Sequence, residues 1–281
     1  MALTDLPLSI KIVIYLFLFT FMFSVAMETS RAELITNLKS GLMARSLLIN
    51  FILLPFTGMF LIWLFHLPTE FSIGFLIVAS VSGGVLSLHY VHIAKGNLKY
   101  AVELVFLLSI LSIIVSPLLI NIILPDYVSI RLPVFPLMGL LFLLIFPPLL
   151  IGQFIKHYYS NKITSLLQRV ASFSSTALFI IFTILTSTLQ SLDVRALGLN
   201  GIAAIVTFNL AGWGISWWLS GADLENRKAL AISSSMRNIA VCAAIANMSA
   251  LGPQAELAIV GFNEITTPMN LAFAIAISRI H

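Results

Sequence analysis

Apolar residues in this chain come in long runs separated by short polar connections. The runs cover 8–27, 42–65, 71–91, 98–124, 132–155, 169–191, 196–219, 229–250 and 256–279. A helix needs roughly 17–25 apolar residues to cross the hydrocarbon core of a bilayer. The pattern therefore predicts an all-α polytopic membrane protein of about nine transmembrane helices, forming one membrane domain over residues 1–281. No soluble domain, linker or low-complexity tail interrupts it. The first run ends in Ser24-Val25-Ala26, which looks like a signal-peptide cleavage site. Asp5, the lack of an early positive cluster and the length of the run favour a retained helix.

Composition agrees. Hydrophobic residues make up 59% of the 281 and charged residues only 9%, where a soluble domain carries about 25%. Mean hydropathy is +1.05. A large soluble core would still need a polar surface, and this chain has too little polar sequence to make one.

Charge orders the spans. Arg31, Lys39, Arg45, Lys95, Lys99, Lys156, Lys162, Arg169, Arg227, Lys228 and Arg279 all fall on alternate connections or the span ends beside them. Only Lys11, Arg131 and Arg195 fall on the other side, and Arg237 lies inside a span. Short basic loops stay in the cytoplasm. The expected topology has the N-terminus outside and the C-terminus inside. A small chain of this kind suits a bacterial inner membrane. The net charge of +4 is thus loop charge, and no nucleic-acid partner is expected. Cys242 is the single cysteine, so there is no intramolecular disulfide framework and no CxxC site. HExxH, Walker A and GxGxxG-with-acid patterns are absent. No cofactor, metal or enzymatic activity is expected.

Two spans carry clusters of helix-weakening residues. The third contains Ser80-Val81-Ser82-Gly83-Gly84; the eighth contains Ser233-Ser234-Ser235-Met236-Arg237-Asn238. Gly costs about 1 kcal/mol against Ala within a helix, and Ser competes for backbone hydrogen bonds. Unwound backbone at membrane depth persists only inside protein or beside a watery cavity. Broken helices at matching places in two halves point to a transporter's binding site. The predicted breaks lie near Ser82–Gly84 and Ser233–Arg237.

These segments resemble the bile acid:sodium symporter family. Ser82-Gly83-Gly84-Val85-Leu86-Ser87-Leu88 sits where that family has Pro-Gly-Gly-Thr-Ala-Ser-Asn. Ala94-Lys95-Gly96-Asn97 is similar to its Ala-Lys-Gly-Asp turn, and Asn50 to Pro55 to its Gln-Phe-Val-Leu-Met-Pro. Arg227 to Asn238 resembles its Arg-Lys-Thr-Ile-Ala-Ile-Glu-Val-Gly-Met-Gln-Asn, and Phe262 to Thr266 its Trp-His-Asn-Ile-Ser. The resemblance implies two inverted five-helix units, the first lacking its first helix. It also implies a panel of spans 8–27, 132–155 and 169–191, and a core of the other six: 42–65, 71–91, 98–124, 196–219, 229–250 and 256–279. Substrate would bind between panel and core.

The departures from the family concern its sodium ligands. Ser87 is kept, but its neighbour is Leu88 in place of Asn. The Glu and Gln of the second break are Ser233 and Arg237, the second-span Gln is Asn50, and the fourth-span hydroxyl positions are Ala101 and Val105. A site that loses its carboxylate and gains a permanently charged guanidinium should repel sodium. Asn50, Ser87 and Ser233 then read as remnants of ion sites.

Glu103, Arg237 and Glu264 are ionisable residues well inside spans, expensive there and functional by default. One arrangement pairs Arg237 with Glu264, the guanidinium standing in for a mobile cation; an ion pair serving structure alone is the other reading. The candidate substrate-binding residues are Arg237, Asn238, Glu264, Asn263, Val85 and Ser87. His89 and Tyr90 are expected at the membrane interface, and Trp213, Trp217 and Trp218 as packing and interface anchors. The expected function is transport of a small organic anion by alternating access, without the usual sodium sites. Rivals are a proton-coupled carrier of the same fold, with Glu264 or Glu103 titrating, and a transport-dead membrane sensor or scaffold.

Overall fold

The structure is a computed structural model that describes residues 8–29, 40–84, 87–123, 134–189, 194–249 and 251–280. Val85, Arg31, Lys39 and Arg131, singled out above, lie outside the described residues. Among the described residues there is no strand.

Helix α1 covers Leu8–Glu28. Helix α2 covers Gly41–Phe65 and begins with the Ser40 hydroxyl accepting from the Met43 N–H at 3.1 Å. It widens to a π-helical turn over Ile49–Leu53, just before Pro55, which has no N–H to give. Such turns are frequent at functional sites, and this one contains Asn50. The helix ends on His66 in left-handed conformation (φ 50°) ahead of Leu67-Pro68. Helices α3 (Thr69–Ser80) and α4 (Ser87–Ile93) replace a single third span. Next come α5 (Leu98–Ile123), α6 (Val134–Tyr158) and α7 (Asn161–Leu189). A 3₁₀ turn at Val194–Leu197 leads into α8 (Gly198–Leu219). Helix α9 (Leu224–Ser235) starts at Asp223, which caps the Asn226 N–H at 2.7 Å. Helices α10 (Ile239–Met248) and α11 (Pro253–Ile277) complete the chain.

Five segments are long and apolar enough to cross a membrane by length and composition: α2, α5, α6, α8 and the broken stretch Leu224–Ala246. That stretch is buried along its whole apolar window. Interrupted backbone is thus placed where protein, not lipid, surrounds it. Apolar side chains such as Ile122, Leu143 and Phe173 are instead largely exposed on the outside, as a lipid-facing surface requires. The chain is an all-α polytopic membrane protein.

Both expected breaks are present. Helix α3 stops at Ser80, and Val81 turns extended (φ −97°, ψ 115°). Gly83 follows at φ +87°, a conformation open to glycine. Helix α9 runs on through Ser233, Ser234 and Ser235 and stops at Met236 (φ −85°, ψ 120°). The second break therefore starts later than the serine cluster suggested. Ser234 and Ser235 have partners on other helices, described below; the Ser235 hydroxyl also lies 3.0 Å from the Ile232 carbonyl of its own helix.

The helices pack in two groups. Helix α1 lies against α6 and α7, while α3 lies against α11, α2 and α5, and α8 against α9, α2 and α11. The groups meet through α1 with α5 and α10, and α6 with α5 and α10. A chain of edge-to-face rings ties the second group: Phe75 to Phe208 at 5.5 Å and Phe208 to Phe262 at 5.8 Å. Each such pair adds about 0.5–1.5 kcal/mol beyond its burial.

Helix α3 and α11 approach so closely that a Cβ at Gly74 would lie 2.0 Å from the Ala255 carbonyl oxygen. Gly74→Ala should therefore force the helices apart and lower stability by about 1–3 kcal/mol or more. Gly139→Ala, where nothing lies within 4 Å, should be neutral or slightly stabilising. Thermal unfolding of the two variants in detergent checks this; equal midpoints would contradict the close approach.

Candidate functional site at the crossing of the broken helices

The two breaks meet. The Gly84 N–H donates to the Met236 carbonyl at 3.2 Å, and a Cβ at Gly84 would sit 2.7 Å from that carbonyl's carbon and oxygen. Only a glycine lets the two backbones come this near.

Ending a helix in the protein interior leaves its last four carbonyls without partners. For α3 all four are accounted for. The Ile77 carbonyl accepts from the Val81 N–H at 3.0 Å. The Val78 carbonyl accepts from Arg237 Nε at 3.0 Å, and the Ala79 carbonyl from Arg237 Nη2. The Ser80 carbonyl accepts from the Ser116 hydroxyl at 3.0 Å. Arg237 thus caps the C-terminal, negative end of α3 from across the crossing. Its Nη1 also donates to Asn50 Oδ1 at 3.1 Å and to the Ser234 carbonyl at 3.2 Å. The Phe208 ring lies 5.9 Å from its guanidinium carbon, within cation–π range. Arg237 is only 4% exposed. The guanidinium, expected to pair with Glu264, is held instead by four hydrogen bonds to neutral oxygens.

Asn50 is the cross-link. Its Nδ2 donates to the Ser46 carbonyl and to the Ser234 hydroxyl, both at 2.9 Å. Its own carbonyl accepts from the Ser82 hydroxyl at 3.3 Å. One residue on the π-helical turn of α2 therefore touches both breaks, the first through its backbone carbonyl and the second through its side chain.

The other expected site residues are distributed around this centre. Ser87 is buried and donates to the Gly84 carbonyl at 2.6 Å, tightening the first break. Ser233 is buried, and its hydroxyl has no partner among the described residues. Asn238 caps α10 by accepting from the Val241 N–H at 3.3 Å, and Asn263 accepts from the Thr267 hydroxyl at 3.3 Å. Asn238, Asn263 and Arg237 line a cavity of about 20 Å³ roofed by Phe17 and Phe179 of the opposite helix group. It is little more than one water molecule in size. Glu264 is half-buried on α11 and does not line this cavity, and Glu103 is buried within α5. Ala101 and Val105 are fully buried hydrocarbon.

Two features escaped the sequence reading. Asn270 is a hub on α11: its Oδ1 accepts from the Ser235 hydroxyl at 2.7 Å and Trp213 Nε1 at 2.8 Å. Its Nδ2 donates to Asn209 Oδ1 at 3.1 Å and the Thr266 carbonyl at 2.8 Å. The available signal was an amide well inside each of two apolar spans, Asn209 and Asn270. Trp213 also stacks on Phe273 at 4.1 Å, the packing role expected of it. The second feature is a crevice of about 140 Å³ between α1, α4 and α7, lined by Glu28, His89, His92 and Gln168 among others. His89, expected as an interface residue, also hydrogen-bonds the Thr176 hydroxyl at 2.9 Å across this crevice.

Interrupted helices crossing in the buried interior of an all-α membrane protein define a class of transporter-like folds. The chain belongs to the sodium bile acid symporter family, which it matches over residues 13–195. It is 25% identical over 204 residues to the "Uncharacterized sodium-dependent transporter YocS" of Bacillus subtilis (strain 168), covering 70% of this chain and 61% of that one. It is 26% identical over 174 residues to the "Probable sodium/metabolite cotransporter BASS3, chloroplastic" of Arabidopsis thaliana, covering 61% of this chain and 39% of that one. The chain thus matches less than two thirds of the length of either relative.

Asn270→Leu should strand the Trp213 N–H and Asn209 Oδ1 and leave the Ser235 hydroxyl only the Ile232 carbonyl of its own helix. The expected loss is about 1–3 kcal/mol. Adding Ser235→Ala should recover part of it. Thermal midpoints of the single and double variants give the coupling; strict additivity would show that Asn270 is not the hub.

Proposed function

We propose that the protein is a secondary transporter that moves a small organic anion by alternating access, without sodium coupling at the family's usual positions. In this reading α1, α6 and α7 form a panel, and the remaining helices form a core that crosses the membrane around the two breaks. Nine crossings put the N-terminus outside and the C-terminus in the cytoplasm of a bacterial inner membrane.

The observation that carries the reading is the donor-rich cavity at the second break. Asn238 and Asn263 line the cavity and use their amide oxygens as acceptors within the chain, so in this reading their NH2 groups are the donors offered to a ligand. The α10 N-terminus adds positive potential, and Arg237 lines the same space. Such a lining favours a carboxylate or similar anion. The cavity lies between the two helix groups, where a rocking motion opens it. The larger crevice lies beside α4 and the start of α5, near the turn with Lys95 and Lys99 that the basic-loop rule makes cytoplasmic.

Sodium coupling finds little support in the same residues. Ser87 is committed to the Gly84 carbonyl and Asn50 to Arg237 and Ser234. Ala101 and Val105 offer no oxygen side chain. The names of the two relatives speak of sodium for those proteins; here every ligand that the resemblance assigns to it except Ser87 has been replaced.

The test is a thermal-shift screen of the purified protein against small mono- and dicarboxylates, in sodium and in choline at equal ionic strength. A ligand at 100 times its Kd should add about 2.7 kcal/mol of stability. The shift should be the same in both salts. Asn238→Ala and Asn263→Ala should each weaken binding by about tenfold or more. Stabilisation by organic cations but by no anion would sink the proposal, as would a carboxylate shift that requires sodium.

A further inference from the structure

Arg237 lies in an oxygen cage that a free cation would also suit. Four acceptors converge on its guanidinium: the carbonyls of Val78 and Ala79, the carbonyl of Ser234, and Asn50 Oδ1. All four are neutral. Two of them are the C-terminal carbonyls of α3, where the helix dipole concentrates negative potential. The other two come from the end of α9 and the wide turn of α2. In carriers built on broken helices, half-helix C-termini and unwound carbonyls are where coupling cations are coordinated. Here the charge that fills the position is part of the chain.

We propose that this cage is a monovalent-cation site permanently occupied by the tethered Arg237 guanidinium. The geometry explains why a buried charge is tolerated with no carboxylate among its hydrogen-bond partners. Partial charges on four oxygens compensate the guanidinium, and the guanidinium satisfies carbonyls that would otherwise be stranded. The two needs are met by one residue. The role of the cation changes with the tether. A mobile ion leaves the site in each cycle and links transport to its gradient. Arg237 cannot leave, so it can hold the two breaks together but cannot carry an ion across. The cage also keeps its chemistry when the side chain is removed: the same four oxygens should then admit a cation from solution.

This inference deepens the transport reading by giving a reason for its indifference to sodium. Its test reads stability in detergent, so it succeeds or fails separately from the anion screen. The full-length protein and Arg237→Ala are compared by thermal unfolding in choline, sodium, potassium and methylguanidinium chloride at equal ionic strength, with urea at matching concentration as a solvent control. Wild type should show the same midpoint in the first three salts. Arg237→Ala should lose several degrees in choline, on the order of 5 °C. At least half of that loss should return, saturably, in methylguanidinium or in one of the alkali cations. A variant as stable as wild type in choline would show that the cage needs no cation. A variant equally destabilised in every salt would show that the oxygens form no cation site. A saturable, sodium-specific shift in wild type would show that the site is not already filled. If Arg237→Ala yields no folded protein, Arg237→Lys and Arg237→Gln decide. The lysine variant, which keeps the charge, should fold with no response to sodium. Folding of the glutamine variant without the lysine variant would overturn the proposal.

Discussion

Stopping a helix in the middle of a protein that sits in lipid exposes carbonyls where water cannot reach them. Everything at the centre of this structure answers that constraint. Helix α3 stops at Ser80, and its last carbonyls are taken by Val81, Arg237 and Ser116. Arg237 supplies two of those bonds, and its backbone belongs to the other break. The two interruptions are therefore not independent defects. Each supplies what the other lacks: Met236 accepts from Gly84, and Arg237 donates to the end of α3. Moving either break by one residue would leave buried carbonyls unpaired, at a cost of about 1–3 kcal/mol apiece.

The arrangement also sorts polar residues by role. Ser234 turns to Asn50 and Ser235 to Asn270, so consecutive serines of α9 stitch it to opposite neighbours. That leaves the last turn of α9 helical despite three serines. Asn238 and Asn263 lie past the stitching, beside a small cavity facing Phe17 and Phe179. The supporting network and the cavity thus occupy adjoining but separate parts of the crossing. A carrier built this way can change what it binds by altering the cavity, while Asn50, Arg237 and Asn270 continue to hold the backbone.

A fixed charge and a mobile ion solve the same electrostatic problem with different consequences. Both neutralise the carbonyl end of a half-helix. A mobile ion adds a concentration-dependent contribution to stability and transport; a side chain contributes at every salt concentration. Replacing the carboxylate position by Ser233 is consistent with this exchange, since a guanidinium held by neutral oxygens needs no anionic partner. Ser233 is fully buried, and its hydroxyl has no partner among the described residues.

Sequence alone determined the class of the protein, because the length and spacing of apolar runs follow from bilayer thickness and little else. It also determined that two helices break, because Gly83-Gly84 and the Ser-Ser-Ser-Met-Arg-Asn stretch weaken a helix by local chemistry. The order of motifs was enough to suggest the family that residues 13–195 match. What Arg237 touches was decided only by the tertiary structure. Its acceptors are mostly main-chain carbonyls, which every residue has and no sequence distinguishes, so the reading looked to the charged side chain Glu264. The boundary of the second break was settled the same way: the three serines weaken a helix in isolation, and two of them, Ser234 and Ser235, find partners on α2 and α11. Asn270 and His89 were visible as letters, but their side-chain partners lie 35 to 87 residues away along the chain. Contacts at that separation exist only once the helices are packed.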